Sequence, residues 1–182
     1  EIEDLELEDT TQLSEKQLLD QALLAEDAML KNKKITNSEG ATRSFSKNTY
    51  NIINSRGLNA KYSKTFHSIS SIAIAGSDTN MQRDYEYSAA THASDLLQAE
   101  KVGSLAAKRA ASRLNSKKIK SCTLDVIFEP RVAKSILSSF CSCASGTSIA
   151  RGTSFLNNQL NTQIFKKNIN ITNNPKLKRG VG

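Results

Sequence analysis

The sequence predicts an α+β fold: an antiparallel β meander flanked by helices, followed by a strand-helix unit that opens a second domain. Three observations predict it. Apolar residues recur at helical spacing between residues 14 and 31, the pattern switches to two-residue alternation punctuated by turn residues from 34 to 91, and helical spacing returns from 101 to 114. The first eleven residues precede all of this and hold six acidic side chains within nine positions, with no apolar stripe. They read as an extended or disordered lead-in.

The first helix has a start signal. Ser14 followed three residues later by Gln17 is a capping box, and Leu18, Leu19, Ala22, Leu23, Ala25 and Met29 continue from it at helical spacing to about Lys31. That face is expected to be buried. In the β region the turns are Ser38-Glu39-Gly40, Ser55-Arg56-Gly57 and Gly76 to Asn80. Between the last two, Tyr62, Phe66, Ile72 and Ile74 share one parity and Lys61, Ser63, Thr65 and His67 the other. Large apolar residues on one parity predict that this side packs and the other is wet. After the last turn, Met81, Arg83, Tyr85 and Tyr87 alternate with Gln82, Asp84, Glu86 and Ser88, with Arg83 expected to snorkel or pair with a carboxylate.

The second helix places Val102, Leu105, Ala106, Ala110 and Leu114 inward, and Asn115 to Lys118 ends it as a domain boundary. Cys122 to Phe128 then reads as a strand. Pro130 suits the first position of a third helix, which sets Val132, Ile136, Phe140 and Cys143 on one side and ends near Gly146. Ile169-Asn170-Ile171 is a short β-like stretch, and no internal repeat is present.

Charge and cysteine usage bound the function. The net charge of +7 hides an asymmetry, because residues 1 to 27 hold ten acidic side chains against Lys16 alone. The basic excess further on is scattered among many asparagines rather than gathered in a stripe, so a solvated surface is the better reading and nucleic acid an unlikely partner. Three cysteines, Cys122, Cys141 and Cys143, are an odd number without a secretory segment, so a reducing cytoplasmic setting is expected. No apolar run approaches the roughly 20 residues of a membrane-spanning helix.

Several short pieces occur in a telling order: Ile35 to Gly40 (Ile-Thr-Asn-Ser-Glu-Gly), Asn54 to Gly57, His67-Ser68 with Ser70-Ser71, and Met81 to Tyr87. Ala107 to Leu114, Val126-Ile127-Phe128 and Arg151 to Leu156 follow. Together they resemble the TldD/PmbA proteins, the "modulator of DNA gyrase" family of proteolytic factors. The resemblance implies that residues 1–119 are the acidic lead-in and the central domain, and that 120–182 open the C-terminal domain. A first domain and most of the last are then expected to be missing.

The TldD-like members of that family have His-Glu-x-x-x-His on the helix before Arg-Gly-Thr-Ser. Imidazoles fix a zinc-type ion, which lowers the pKa of its water to about 7. Counting back from Arg151, the matching stretch here is Leu137 to Ser142, with Leu137, Ser138 and Ser142 at its corners and neither His nor carboxylate inside it. The resemblance is therefore to the PmbA (TldE) branch. That implies a metal-free, non-catalytic subunit, no cofactor on this chain, and a divalent metal, zinc, in a TldD-like metallopeptidase partner. The substrates implied are small or unfolded peptides, including peptide-antibiotic precursors and antitoxins.

Other chemistry reads poorly. Cys141 and Cys143 stand two apart on a helix, about 200° around its axis, and cannot converge on one ion. The serines from 135 to 145 form no nucleophile elbow. His67 on the polar parity and His92 before Asp95 read as hydrogen-bonding histidines. His67, Arg83, Asp84 and Arg151 are the residues singled out as a substrate or partner surface. The rival readings are a non-enzymatic regulatory protein, including one acting on DNA gyrase, and an inactive remnant.

Overall fold

The computed structural model describes residues 4–181, so the expectation for residues 1–3 of the lead-in lies outside the described residues. Two compact units form, one from residues 4–117 with 174–181 and one from 118–173. In the first unit the elements are α1 (Glu15–Leu30), β1 (Ile35–Ile53), β2 (Asn59–Ala75), β3 (Gln82–Ala90) and α2 (Ala99–Ser112). The three strands make an antiparallel sheet in the order β1-β2-β3. This is the α+β meander flanked by helices that the period switch predicts.

The capping box forms: Ser14 accepts from the Gln17 N–H while the Gln17 side chain accepts from the Ser14 N–H. Of the expected inward residues of α1, Ala25 and Met29 are buried, with Ala28 beside them. Leu19 and Leu23 instead stay 57% and 47% exposed. The reason lies in how α1 meets α2. A Cβ at Gly103 of α2 would overlap the Ala25 carbonyl oxygen, so the two backbones approach as only glycine and alanine permit. The contact face of α1 is its alanine side, and the leucines are turned away.

The same closeness reverses the expected parity of the sheet. The buried positions of β2 are Thr65, His67, Ile69, Ser71, Ala73 and Ala75, while Tyr62 is exposed and Phe66, Ile72 and Ile74 are only half-buried. On β3, Asp84 and Glu86 are buried and Tyr85 and Tyr87 exposed. Helices whose inner faces are alanine lie close to the sheet, and small residues are needed beneath them. Met29, Ile35, Ala73, Ala75, Ala106, Ala107 and Ala110 form one core cluster, and Ala25, Ile69, Ala99 and Val102 a second. Large side chains therefore go to the face without helices.

β1 and β2 pair along their whole lengths, Ile35 with Ala75 through Ile53 with Asn59, whereas β3 pairs only with residues 67–75. Residues 46–53 and 59–66 thus form a two-stranded arm beyond β3. Its turn is closed by Asn54, whose side-chain oxygen accepts from the Arg56 and Leu58 N–H groups, and Gly57 adopts φ of 85°. At the other end, register shifts flank Thr36 and Glu39, a bulged stretch in which Gly40 has φ of 98°.

The second unit contains α3 (Pro130–Ala144) and α4 (Gly146–Ala150). Pro130 sits in the first turn as expected. Ser145 ends α3 in extended conformation and caps α4 through the Ser148 N–H, so the break comes one residue before Gly146. Phe140 meets Phe165 edge-on at 4.9 Å. The expected strands at Cys122–Phe128 and Ile169–Ile171 do not form. A strand requires a neighbour for its N–H and C=O groups, and no ladder pairs either segment among the described residues. Ile127 is 97% exposed.

Candidate functional site

Beyond the helices, the inner face of the sheet is covered by the lead-in, and polar side chains converge there. Thr65 and His67 on β2 are fully buried, as is Thr91 after β3. The Thr65 N–H donates to the Leu7 carbonyl at 3.0 Å, the Thr65 hydroxyl donates to the Thr91 carbonyl at 2.8 Å, and the Asp9 N–H donates to Thr65 Oγ1 at 2.8 Å. His92 Nε2 donates to the Glu6 carbonyl at 2.9 Å. The described part of the lead-in is therefore held at Glu6, Leu7 and Asp9, so of the two expected readings, extended or disordered, the disordered one does not hold there.

His67 is the centre of this cluster. Arg43 Nη2, which can only donate, lies 3.2 Å from His67 Nδ1, so Nδ1 accepts and the ring proton sits on Nε2, 3.2 Å from Asp9 Oδ2. The Nε2 geometry is off-line for a hydrogen bond, leaving an electrostatic contact. Arg43 is anchored in turn by Gln21 Oε1 at 2.7 Å and the Ser68 carbonyl at 3.3 Å. Burial, reinforced by the Arg43 charge, pushes the His67 pKa down, so the imidazole is neutral. Burial pushes Asp9 the other way, but the Ala93 N–H and the Thr11 hydroxyl and N–H outweigh it and hold the carboxyl at about 2.

This arrangement is a lock. With Nδ1 occupied by a permanent cation and the ring sealed from solvent, His67 cannot accept a proton from a substrate. An open cleft of about 490 Å³ lies alongside, lined by Leu24, Arg43, Leu96, Gln98 and Glu100 among others, with neither histidine nor cysteine in its lining.

Within the first unit, His67, Arg83 and Asp84 of the residues singled out in the sequence do not form one surface. His67 faces the helices, buried instead of wet. Arg83 lies on the opposite face of the sheet, its Nε donating to both Glu39 oxygens at 2.8 Å, the carboxylate pairing expected of it. Asp84 is buried on the inner face and pairs with Arg113 at 3.2 Å, while Arg109 pairs with Glu86 at 3.0 Å. Arg151 is exposed at the end of α4 in the other unit. Sequence reading missed Asp9 because the lead-in looked unstructured, and Arg43 because a lone arginine in a polar stretch of β1 has no local sign that it turns inward. Its one signal was the alternation of Leu5 and Leu7 with Glu6 and Glu8.

On α3, the segment that resembles a metal helix in TldD-like proteins does not fit a metal. Ser139 and Ser142 spend their hydroxyls on the Ser135 and Ser138 carbonyls at 2.9 and 3.0 Å, Leu137 is exposed, and Cys141 and Cys143 are free thiols. Among the described residues no group of three or more His, Cys, Asp or Glu is placed to hold an ion.

Residues 6–114 match the PmbA/TldA metallopeptidase central domain and residues 121–182 the PmbA/TldA metallopeptidase C-terminal domain. A metalloprotease PmbA homolog of Buchnera aphidicola subsp. Baizongia pistaciae is 36% identical over 155 residues, 85% of this chain and 35% of that protein. The metalloprotease PmbA of Escherichia coli O157:H7 is 34% identical over 179 residues, covering 98% of this chain and 40% of its own length. A crystal structure from Bacteroides thetaiotaomicron, named for modulation of DNA gyrase, superposes with a TM-score of 0.88 at 24% identity, over 97% of this chain and 41% of that one. The chain thus spans well under half the length of these relatives, and it belongs to the PmbA/TldA metallopeptidase family.

Proposed function

We propose that this chain is part of a non-catalytic subunit of a two-chain peptidase, in which a TldD-like metallopeptidase supplies the metal. The observation that supports this reading is Leu137 to Ser142: within the part of the chain that matches the family's C-terminal domain, the Ser139 and Ser142 hydroxyls are bonded to carbonyls of their own helix, and the segment has no imidazole or carboxylate. A scaffold kept without its chemistry can still contribute surface, closing a cavity around an extended peptide. The substrates in this reading are small or unfolded peptides, such as peptide-antibiotic precursors and antitoxins. Cytoplasmic placement accords with three free thiols and with the lack, among the described residues, of any helix long and apolar enough to cross a membrane.

The test uses this chain extended to the length of its PmbA relatives, mixed with a TldD-like chain. Co-purification is expected, with peptide cleavage only when both are present. Full cleavage by the TldD-like chain alone contradicts the reading, and salt-sensitive DNA binding without cleavage would favour the gyrase-modulating alternative.

A further inference from the structure

The lead-in is itself held by a segment that comes much later in the sequence. Residues 174–181 follow the second unit along the chain but pack as part of the first. The Arg179 N–H donates to the Leu5 carbonyl at 2.8 Å, and the Arg179 carbonyl accepts from the Thr91 hydroxyl at 2.8 Å. The Arg179 side chain lies between Glu6 at 2.9 Å and Asp95 at 3.3 Å, Lys178 adds a second cation on Glu6 at 3.2 Å, and the Val181 carbonyl accepts from Lys64 at 3.0 Å. Leu177 to Val181 thus acts as a strap on the lead-in.

Two features distinguish this contact from core packing. Glu6 and Arg179, the residues that pair, have φ of 51° and 55°, the left-handed region that side chains larger than glycine seldom adopt. Such backbone persists only where its surroundings hold it. Here the surroundings are charges at the surface: the side chains of Glu6, Asp95, Lys178 and Arg179 are 36 to 58% exposed, so salt screens them. Neither segment contributes a described side chain to the two core clusters.

What the lead-in covers is of the opposite character. His67 is fully buried, and its Nε2 has the Asp9 carboxylate beside it without an in-line hydrogen bond. The contacts of the lead-in run from the strap toward that ring in chain order: Glu6 on His92, Leu7 on Thr65, then Asp9 on Thr65 and Ala93. Peeling that begins at Glu6 therefore ends at His67. We propose that Leu177 to Val181 is a salt-sensitive strap that keeps the lead-in closed over His67, and that strap and lead-in open as one unit while helices and sheet stay folded. Opening uncovers the His67 Nε2. Coupling of this kind is reciprocal, so weakening either segment loosens both.

Hydrogen exchange of the 182-residue chain, followed by NMR without any TldD-like chain, tests this separately from the subunit reading. Arg179→Glu sets like charges against Glu6 and Asp95, and Glu6→Lys sets them against Lys178 and Arg179. Each variant is expected to speed exchange of the Arg179, Asp9 and Thr65 N–H groups on the order of tenfold, with the His67 Nε2 proton following and the Ala106 and Ala110 N–H groups of α2 unchanged. In the wild type, raising the salt is expected to speed the same groups and no others. The proposal is overturned if Arg179→Glu frees the strap while Asp9 and Thr65 stay protected, or if Glu6→Lys leaves the Arg179 N–H protected. Faster exchange of the lead-in with the His67 proton still sealed, or acceleration that extends into α2, overturns it equally.

Discussion

His67 is a histidine that folding has removed from acid-base work. Its Nδ1 is committed to Arg43 and its proton faces Asp9, so the neutral ring is a requirement of the packed state. Because its folded pKa lies below the unfolded value, the unfolded chain binds more protons, and stability is expected to fall as pH drops below about 6.5 and level off below the folded pKa. Urea unfolding between neutral and mildly acidic pH measures this, and His67→Gln should remove that part of the slope. Asp9 acts in a lower window. Its carboxyl titrates at about 2 in the folded state, so the roughly 2 kcal/mol it contributes is present above pH ~4 and lost as pH falls toward 2. His67→Ala, which leaves the Arg43 donor without its acceptor, is expected to cost about 3 kcal/mol in the same assay.

At the scale of elements, close approach decides more than hydrophobicity. Gly103→Ala is expected to cost about 3 kcal/mol, because the added methyl meets the Ala25 carbonyl oxygen and α1 must shift. Ser14→Ala should cost about 1 kcal/mol through loss of the cap. Both are read from thermal or denaturant midpoints. This principle also explains what the sequence disclosed. The capping box, the two-residue alternation of β2 and β3 and the Asn54 to Gly57 turn depend on neighbours within a few positions, and they were legible. Which parity of β2 faced inward was not: Tyr62, Phe66, Ile72 and Ile74 outweigh Thr65, Ser71, Ala73 and Ala75 in hydrophobicity, yet alanine-faced helices select the smaller set. The site depended on contacts farther apart still. Asp9 reaches His67 across 58 positions, and a reading that left the lead-in loose could not place either. The strand expected at Cys122–Phe128 failed for a related reason, since alternation specifies a strand only when a partner supplies its ladder.

For the chain as a whole, the family match and the make-up of α3 have to be taken together. The central-domain match covers the first unit's helices and sheet, while on the helix from Pro130 to Ala144 the Ser135, Ser139 and Ser142 hydroxyls are already bonded to its own backbone. The most direct test of the account is metal analysis of this chain, alone and within a complex of the full-length pair. The prediction is no stoichiometric zinc on this chain, and in the complex a single ion per pair that disappears when the TldD-like histidines are substituted. One tightly bound ion per chain here, lost with Cys141→Ser and Cys143→Ser, would contradict it.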